Sequence, residues 1–160
     1  MLPNRKKNRL ADYSYSQPGA YFITVCTADK RCLLSSIVGA DAPIGPQVRL
    51  TPIGMVVEKY LRTIPGIGEY VIMPNHVHMM LHISADDLHS GPMWASAPTN
   101  AGIPTLIRSW KILVTKEVGY SIWQRSYYDH IIRNQRDYNV RIQYIRENPS
   151  KWFFDDYYVP

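Results

Sequence analysis

The sequence predicts an α+β sandwich built on an antiparallel sheet, and three features of its 160 residues carry that expectation. Segments with the period-two apolar pattern of strands alternate with segments bearing the 3.6-residue stripe of helices. The strands are too few for a doubly wound parallel sheet. Hydrophobic residues make up 46% of the chain and charged residues 19%, the composition of a globular protein with a core. With no internal repeat and no composition break, residues 1–160 read as one domain.

The first strand is Ala20–Thr27, β-branched and aromatic and entered through Pro18-Gly19. A Gly- and Pro-rich loop follows from Gly39 to Pro46. Thr51 and Pro52 have the character of a helix N-cap and first helical position. Met55, Val56, Tyr60, Leu61 and Ile64 supply that helix with an apolar stripe, and Pro65-Gly66 ends it. A second strand is expected from about Tyr70 to Ile83. Ser84 to Gly102 is polar, with small residues and prolines, and reads as a mobile loop. The next helix starts near Pro104, carries Leu106, Ile107, Trp110, Leu113, Val114 and Val118, and stops at Gly119. A strand through Tyr127–Ile132, a helix from about Gln135 to Asn148 and an aromatic tail from Lys151 to Pro160 complete the chain. The tail is expected to pack back on the domain. A ferredoxin-like arrangement suits this order best.

Composition narrows the function classes. The formal charge of +5 points mildly to a polyanionic partner. Basic residues cluster at Arg5, Lys6, Lys7 and Arg9, at Arg108, Lys111 and Lys116, and from Arg125 through Arg133, Arg136, Arg141 and Arg146. The last group is interleaved with Tyr127, Tyr128, Tyr138 and Tyr144, a mixture suited to phosphates and stacked bases, although a solvated basic face with core tyrosines has the same composition. Cys26 and Cys32 fit no zinc or redox spacing, and Cys26 reads as a small core residue. No stretch is long and apolar enough for a membrane span, and no apolar signal region follows the basic start, so a cytoplasmic protein is expected.

Chemistry concentrates in Tyr70–Ile83. Strand alternation sets Val71, Met73, Val77, Met79, Leu81 and Ile83 on one apolar face and His76 and His78 together on the other. Their Cα atoms are then roughly 6–7 Å apart, close enough for two imidazoles to converge on one cation and leave positions open for substrate oxygens. Two histidines on a sheet face without ligand duty give the same short pattern. His82 lies further along that face and reads as a surface or packing residue, and Asn75 is placed to hold the turn that presents His76.

The last helix offers a nucleophile. Asn134 can cap it, and Tyr138, Ile142 and Ile145 form its packing stripe. Tyr144 falls off that stripe with Asp137, Arg141 and Asn148, the last one turn further along. Pro149 should stop the helix at Asn148. A phenol with a reference pKa of about 10 needs help to attack phosphorus, and His76, His78 and the Asn148 amide oxygen would make a three-ligand metal site beside it. A half-buried tyrosine making an ordinary hydrogen bond explains the same placement.

Four ordered blocks turn these readings into a resemblance: Gly19-Ala20-Tyr21-Phe22-Ile23-Thr24-Val25-Cys26-Thr27, Met73-Pro74-Asn75-His76-Val77-His78, Trp123 to Arg133, and Tyr144-Ile145-Arg146-Glu147-Asn148-Pro149. From about Tyr13 to Trp152 the chain resembles the IS200-like HUH single-tyrosine transposases, in particular the REP-associated tyrosine transposase branch. The resemblance implies an HUH-type nuclease/transposase fold, His76 and His78 as the HUH pair, Asn148 as the polar third ligand and Tyr144 as the catalytic residue. It implies a metal, Mg²⁺ or Mn²⁺, and attack on single-stranded or hairpin DNA to give a 5′-phosphotyrosine link and a free 3′-hydroxyl. The family contains dimers that share active sites as well as monomers, so a homodimer is compatible with it.

Arg125, Tyr127, His130, Arg133 and Arg141 are candidate DNA contacts, with packing and a structural salt bridge as competing roles for several of them. Tyr138 is a rival nucleophile, set aside because it lies on the packing stripe. Two further functions compete with strand transfer: a catalytically silent DNA- or RNA-binding module, and a metal-dependent hydrolase in which water attacks.

Overall fold

In the computed structural model, which describes residues 18–84 and 102–160, strand β1 (Gly19–Cys26) runs inside a four-stranded antiparallel sheet. The basic cluster at Arg5–Arg9, the Tyr13-Ser14-Tyr15 segment and all but the ends of the loop expected over 84–102 lie outside the described residues. After β1 come a short hairpin, β2 (Ser35–Val38) and β3 (Gln47–Leu50), then helix α1 (Pro52–Leu61). Strands β4 (Ile67–Ile72) and β5 (His76–Ile83) follow. Helix α2 (Ile103–Val118), strand β6 (Tyr128–Ile131) and helix α3 (Gln135–Glu147) come next, and a 3₁₀ segment, Asn148–Phe154, leads into the tail.

The main sheet is ordered β4-β5-β1-β6. Leaving out the inserted hairpin, the chain runs βαββαβ through this sheet, which is the expected ferredoxin-like topology. Helices α1 and α2 cover one face, over a core of Tyr21, Ile23, Val25, Val77, Met79, Leu81, Val57, Leu61 and Trp110. Helix α3 covers the other, where Phe22 and Met80 meet Ile142, Ile145 and Trp152. Among the described residues no helix is long and apolar enough to cross a membrane.

The predicted caps hold. Thr51 Oγ1 accepts the Gly54 N–H at 3.0 Å, and Asn134 Oδ1 accepts the Asp137 N–H at 2.9 Å. Gly119 ends α2 with φ at 92°, a conformation that a side chain disfavours.

Several expectations need correction. The single strand expected over Tyr70–Ile83 is a tight hairpin: β4 and β5 pair Ile72 with Val77 and Val71 with His78, and the Met73 N–H donates to the His76 carbonyl at 2.8 Å. Pro74 cannot donate to a ladder, and Pro-Asn favours a turn, so the chain reverses there. The reversal changes the parity, so Val71 and Met73 lie with the α3 cluster rather than sharing a face with Val77. Helix α1 buries Gly54, Val57 and Leu61, while Met55 is exposed. Val56, Tyr60, Leu61 and Ile64 of the expected stripe do pack on the core, and Gly54 joins them by resting on Leu34, whose carbonyl oxygen lies only 1.9 Å from where a Cβ would stand. Cys26 belongs to the α3 side of β1 and is half-buried. Asn148 keeps right-handed helical geometry (φ −55°, ψ −42°), and the backbone tightens into the 3₁₀ segment with Pro149 in its first turn, where no N–H is required.

Candidate active site

The register of β1 against β5 places Thr24 opposite His78 and Cys26 opposite His76. All four side chains face α3 and the tail. His78 Nδ1 meets Thr24 Oγ1 at 2.7 Å, and His76 Nδ1 meets Asn75 Oδ1 at 2.8 Å. The Asn75 amide donates to the carbonyls of Tyr157 (2.7 Å) and Lys30 (3.3 Å), so its Oδ1 is the acceptor and the His76 Nδ1–H the donor. That leaves His76 Nε2 with a bare lone pair. Both rings are fully buried, their centroids are 4.4 Å apart, and neither Nε2 has a hydrogen-bond partner.

Burial pushes the His76 imidazole down to about 4, against the opposing pull of Asp155 and Asn148. Burial pushes His78 well below its ordinary value too, helped by His76 and Arg141. Both rings are therefore neutral at pH 7. Two neutral, buried, unpartnered Nε2 atoms whose opposite nitrogens are held by oxygen partners make the arrangement a divalent cation needs from imidazole.

The C-terminal tail supplies what sequence reasoning missed. Asp155 is brought up to the histidines, its Oδ2 lying 3.9 Å from His76 Nε2. One ligand atom from each of His76, His78 and Asp155 lies within 4.8 Å of the others. Asn148 is buried at the same place; its Nδ2 donates to Asp155 Oδ2 at 2.7 Å, and its Oδ1 has no partner. The donor set of imidazole nitrogens and side-chain oxygens is compatible with a divalent metal.

Tyr144 leaves α3 toward this cluster. Its ring centroid is 5.1 Å from that of His78, and 40% of the residue remains open to solvent. Burial, with Asp155 and Asp156, raises the phenol above its ordinary value, while Arg141 pulls it the other way. The Arg141 guanidinium lies over Phe22 at 5.2 Å, and its Nε is 3.7 Å from Asp137. Tyr157 is a second tyrosine at the site, its ring 4.6 Å from His76, but burial first of all pushes its phenol up to about 12. Tyr138 packs near His82 at 5.7 Å, on the helix stripe.

The other candidate residues divide. His130 Nε2 pairs with Asp137 at 2.8 Å, a bond that ties β6 to the first turn of α3. Arg133 is exposed on the connection between them. Arg125 and Tyr127 line a cleft of about 560 Å³ with Trp123, Gln124 and the α2 residues Arg108 and Lys111. A smaller hollow shares Gln124 and Arg125 with that cleft and reaches Tyr157 beside the histidines.

No family model matches the chain. An uncharacterised protein of Haemophilus influenzae is 34% identical across 99% of this chain and 95% of its own length. The REP-associated tyrosine transposase of Escherichia coli is 29% identical over 86 residues, which span 53% of this chain and 44% of that protein. A solved REP-associated tyrosine transposase bound to a REP hairpin has the same fold, with a TM-score of 0.58 over 89% of this chain and 73% of that one, at 23% identity. Part of the chain is thus similar in sequence to a REP-associated tyrosine transposase, and its fold is that of the solved one. That sequence match spans about half of this chain and less than half of the Escherichia coli transposase.

Proposed function

We propose that this transposase relative nicks and rejoins single-stranded, hairpin-bearing DNA through a phosphotyrosine link on Tyr144. The observation carrying this reading is the Tyr144 ring set 5.1 Å from His78, beside two buried imidazoles whose Nε2 atoms have no partner. A divalent cation bound there would withdraw charge from a phosphate oxygen and make phosphorus easier to attack. His76 and His78 would hold it, with the Asn148 amide oxygen as a further donor, and Thr24 and Asn75 keep the two rings oriented.

Tyr144 Oη forms the new bond to phosphorus while the bond to the 3′-oxygen breaks. The phenol gives up its proton, and the departing oxygen takes one up as a 3′-hydroxyl. Arg141, one helical turn before Tyr144, opposes the rise in the phenol's pKa and favours its anionic form. The reverse attack by a 3′-hydroxyl restores the phosphodiester, so the bond's energy is conserved and no nucleotide cofactor is required. Arg125, with Tyr127 and Trp123 in the adjoining cleft, offers the flanking strand a cation and aromatic surfaces.

The test is incubation with a single-stranded hairpin oligonucleotide and Mn²⁺, followed by a denaturing gel. A covalent protein–DNA band that is retained in Tyr157→Phe and lost in Tyr144→Phe is expected. Cleavage with no such band, indifferent to Tyr144→Phe, would assign the attack to water. Binding with neither band nor cleavage would make the protein a silent binding module.

A further inference from the structure

We propose that Asp155 is an anionic ligand of the cation held by His76 and His78, and that the C-terminal tail is thereby part of the metal centre. The inference rests on the metal site proposed above and adds a ligand that neither the HUH pattern nor the tyrosine helix supplies.

The Asp155 side chain is 1% exposed, and among the described residues its ion-pair partner is His76 alone, at 3.9 Å. No Lys or Arg side chain among the described residues lies within ion-pair distance of this carboxylate. A buried carboxylate is costly unless it is paired or bound to a metal. The orphaned His76 Nε2 lies 3.9 Å from Asp155 Oδ2, and one ligand atom from each of His76, His78 and Asp155 falls within a 4.8 Å span.

Hydrogen bonds aim the carboxylate rather than neutralise it. Asn148 Nδ2 holds Oδ2 at 2.7 Å, and the Tyr157 backbone N–H holds Oδ1 at 2.8 Å. Each oxygen keeps acceptor capacity for a cation after accepting one hydrogen bond. The Tyr157 carbonyl in turn receives the Asn75 amide that orients His76. Residues 155–157 therefore brace one imidazole and present the carboxylate through a single connected network. Asn148 acts here as a positioning residue for Asp155, with its own Oδ1 left as a neutral donor.

Mn²⁺ affinity, measured by calorimetry on the full chain without DNA, separates this inference from the strand-transfer reading. Asp155→Asn keeps the shape and removes the charge, and is expected to weaken Mn²⁺ binding about ten- to a hundred-fold. Mn²⁺ should also slow amide hydrogen exchange across residues 155–157 of the parent chain, a measurement that needs no variant. Parental affinity in Asp155→Asn, or exchange in the tail indifferent to Mn²⁺, would overturn the proposal while leaving Tyr144 chemistry intact. A parent chain that binds no Mn²⁺ would overturn both.

Discussion

The two faces of the main sheet are built from alternate residues of the same strands, yet they are closed in different ways. Against α1 and α2, β1 and β5 present Tyr21, Ile23, Val25, Val77, Met79 and Leu81, and the contacts are almost entirely apolar. Against α3 and the tail, the same strands present Phe22, Thr24, His76, His78 and Met80, and polar atoms are buried without partners. Side-chain alternation lets one strand serve both ends, so the first face can carry stability while the second tolerates the unmet polar groups of a metal site.

Substitutions on opposite faces should break that division most sharply. His78→Ala is expected to abolish DNA cleavage on the gel while retaining most hairpin affinity, because affinity comes from phosphate contacts spread over many basic residues. Trp110→Ala, which removes a fully buried ring packed 4.8 Å from Trp123, should instead cost about 3–5 kcal/mol in urea denaturation. Parental cleavage in His78→Ala, or a negligible stability loss in Trp110→Ala, would dissolve the contrast.

A smaller effect separates the faces by pH. Folded His76 stays neutral down to about 4, whereas the unfolded chain takes up its proton near 6.5. Between those values the unfolded state binds more protons, so stability falls as the pH is lowered through this window. His76 and His78 both contribute to the loss in this direction. Denaturation in chelator at about pH 7 and pH 4.5 reads the loss, and His76→Gln should reduce it.

The smallest effect belongs to the cleft outside both faces. Arg125→Ala should weaken hairpin binding about equally across sequences and lower the slope of affinity against salt by about 1, if Arg125 meets a phosphate. An unchanged slope would remove Arg125 from the DNA path.

Much of this site was legible before folding. The shared face of His76 and His78 and the off-stripe position of Tyr144, with Asn148 one turn further on, follow from period-two and 3.6-residue patterns in short windows; the burial of Asn148 does not. Asp155 and Tyr157 were not, because nothing local distinguishes an Asp-Asp-Tyr-Tyr tail packed on a metal site from one packed elsewhere. His130 could be read from sequence as a DNA contact or a structural partner, and its bond to Asp137 accounts for it structurally.

The chain by itself determined where strands alternate, where Thr51 and Asn134 cap helices and where Gly119 ends one, since those choices depend on neighbours within a turn or a few strand residues. Tertiary structure decided the reversal of parity across Pro74 and the gathering of Asp155, Asn148 and the two imidazoles. The Asn75–Tyr157 bond that helps brace this group joins residues 82 apart in sequence. Such contacts form only once the sheet has aligned its strands and the tail has a surface to bury Trp152 against, information that no short window of sequence contains.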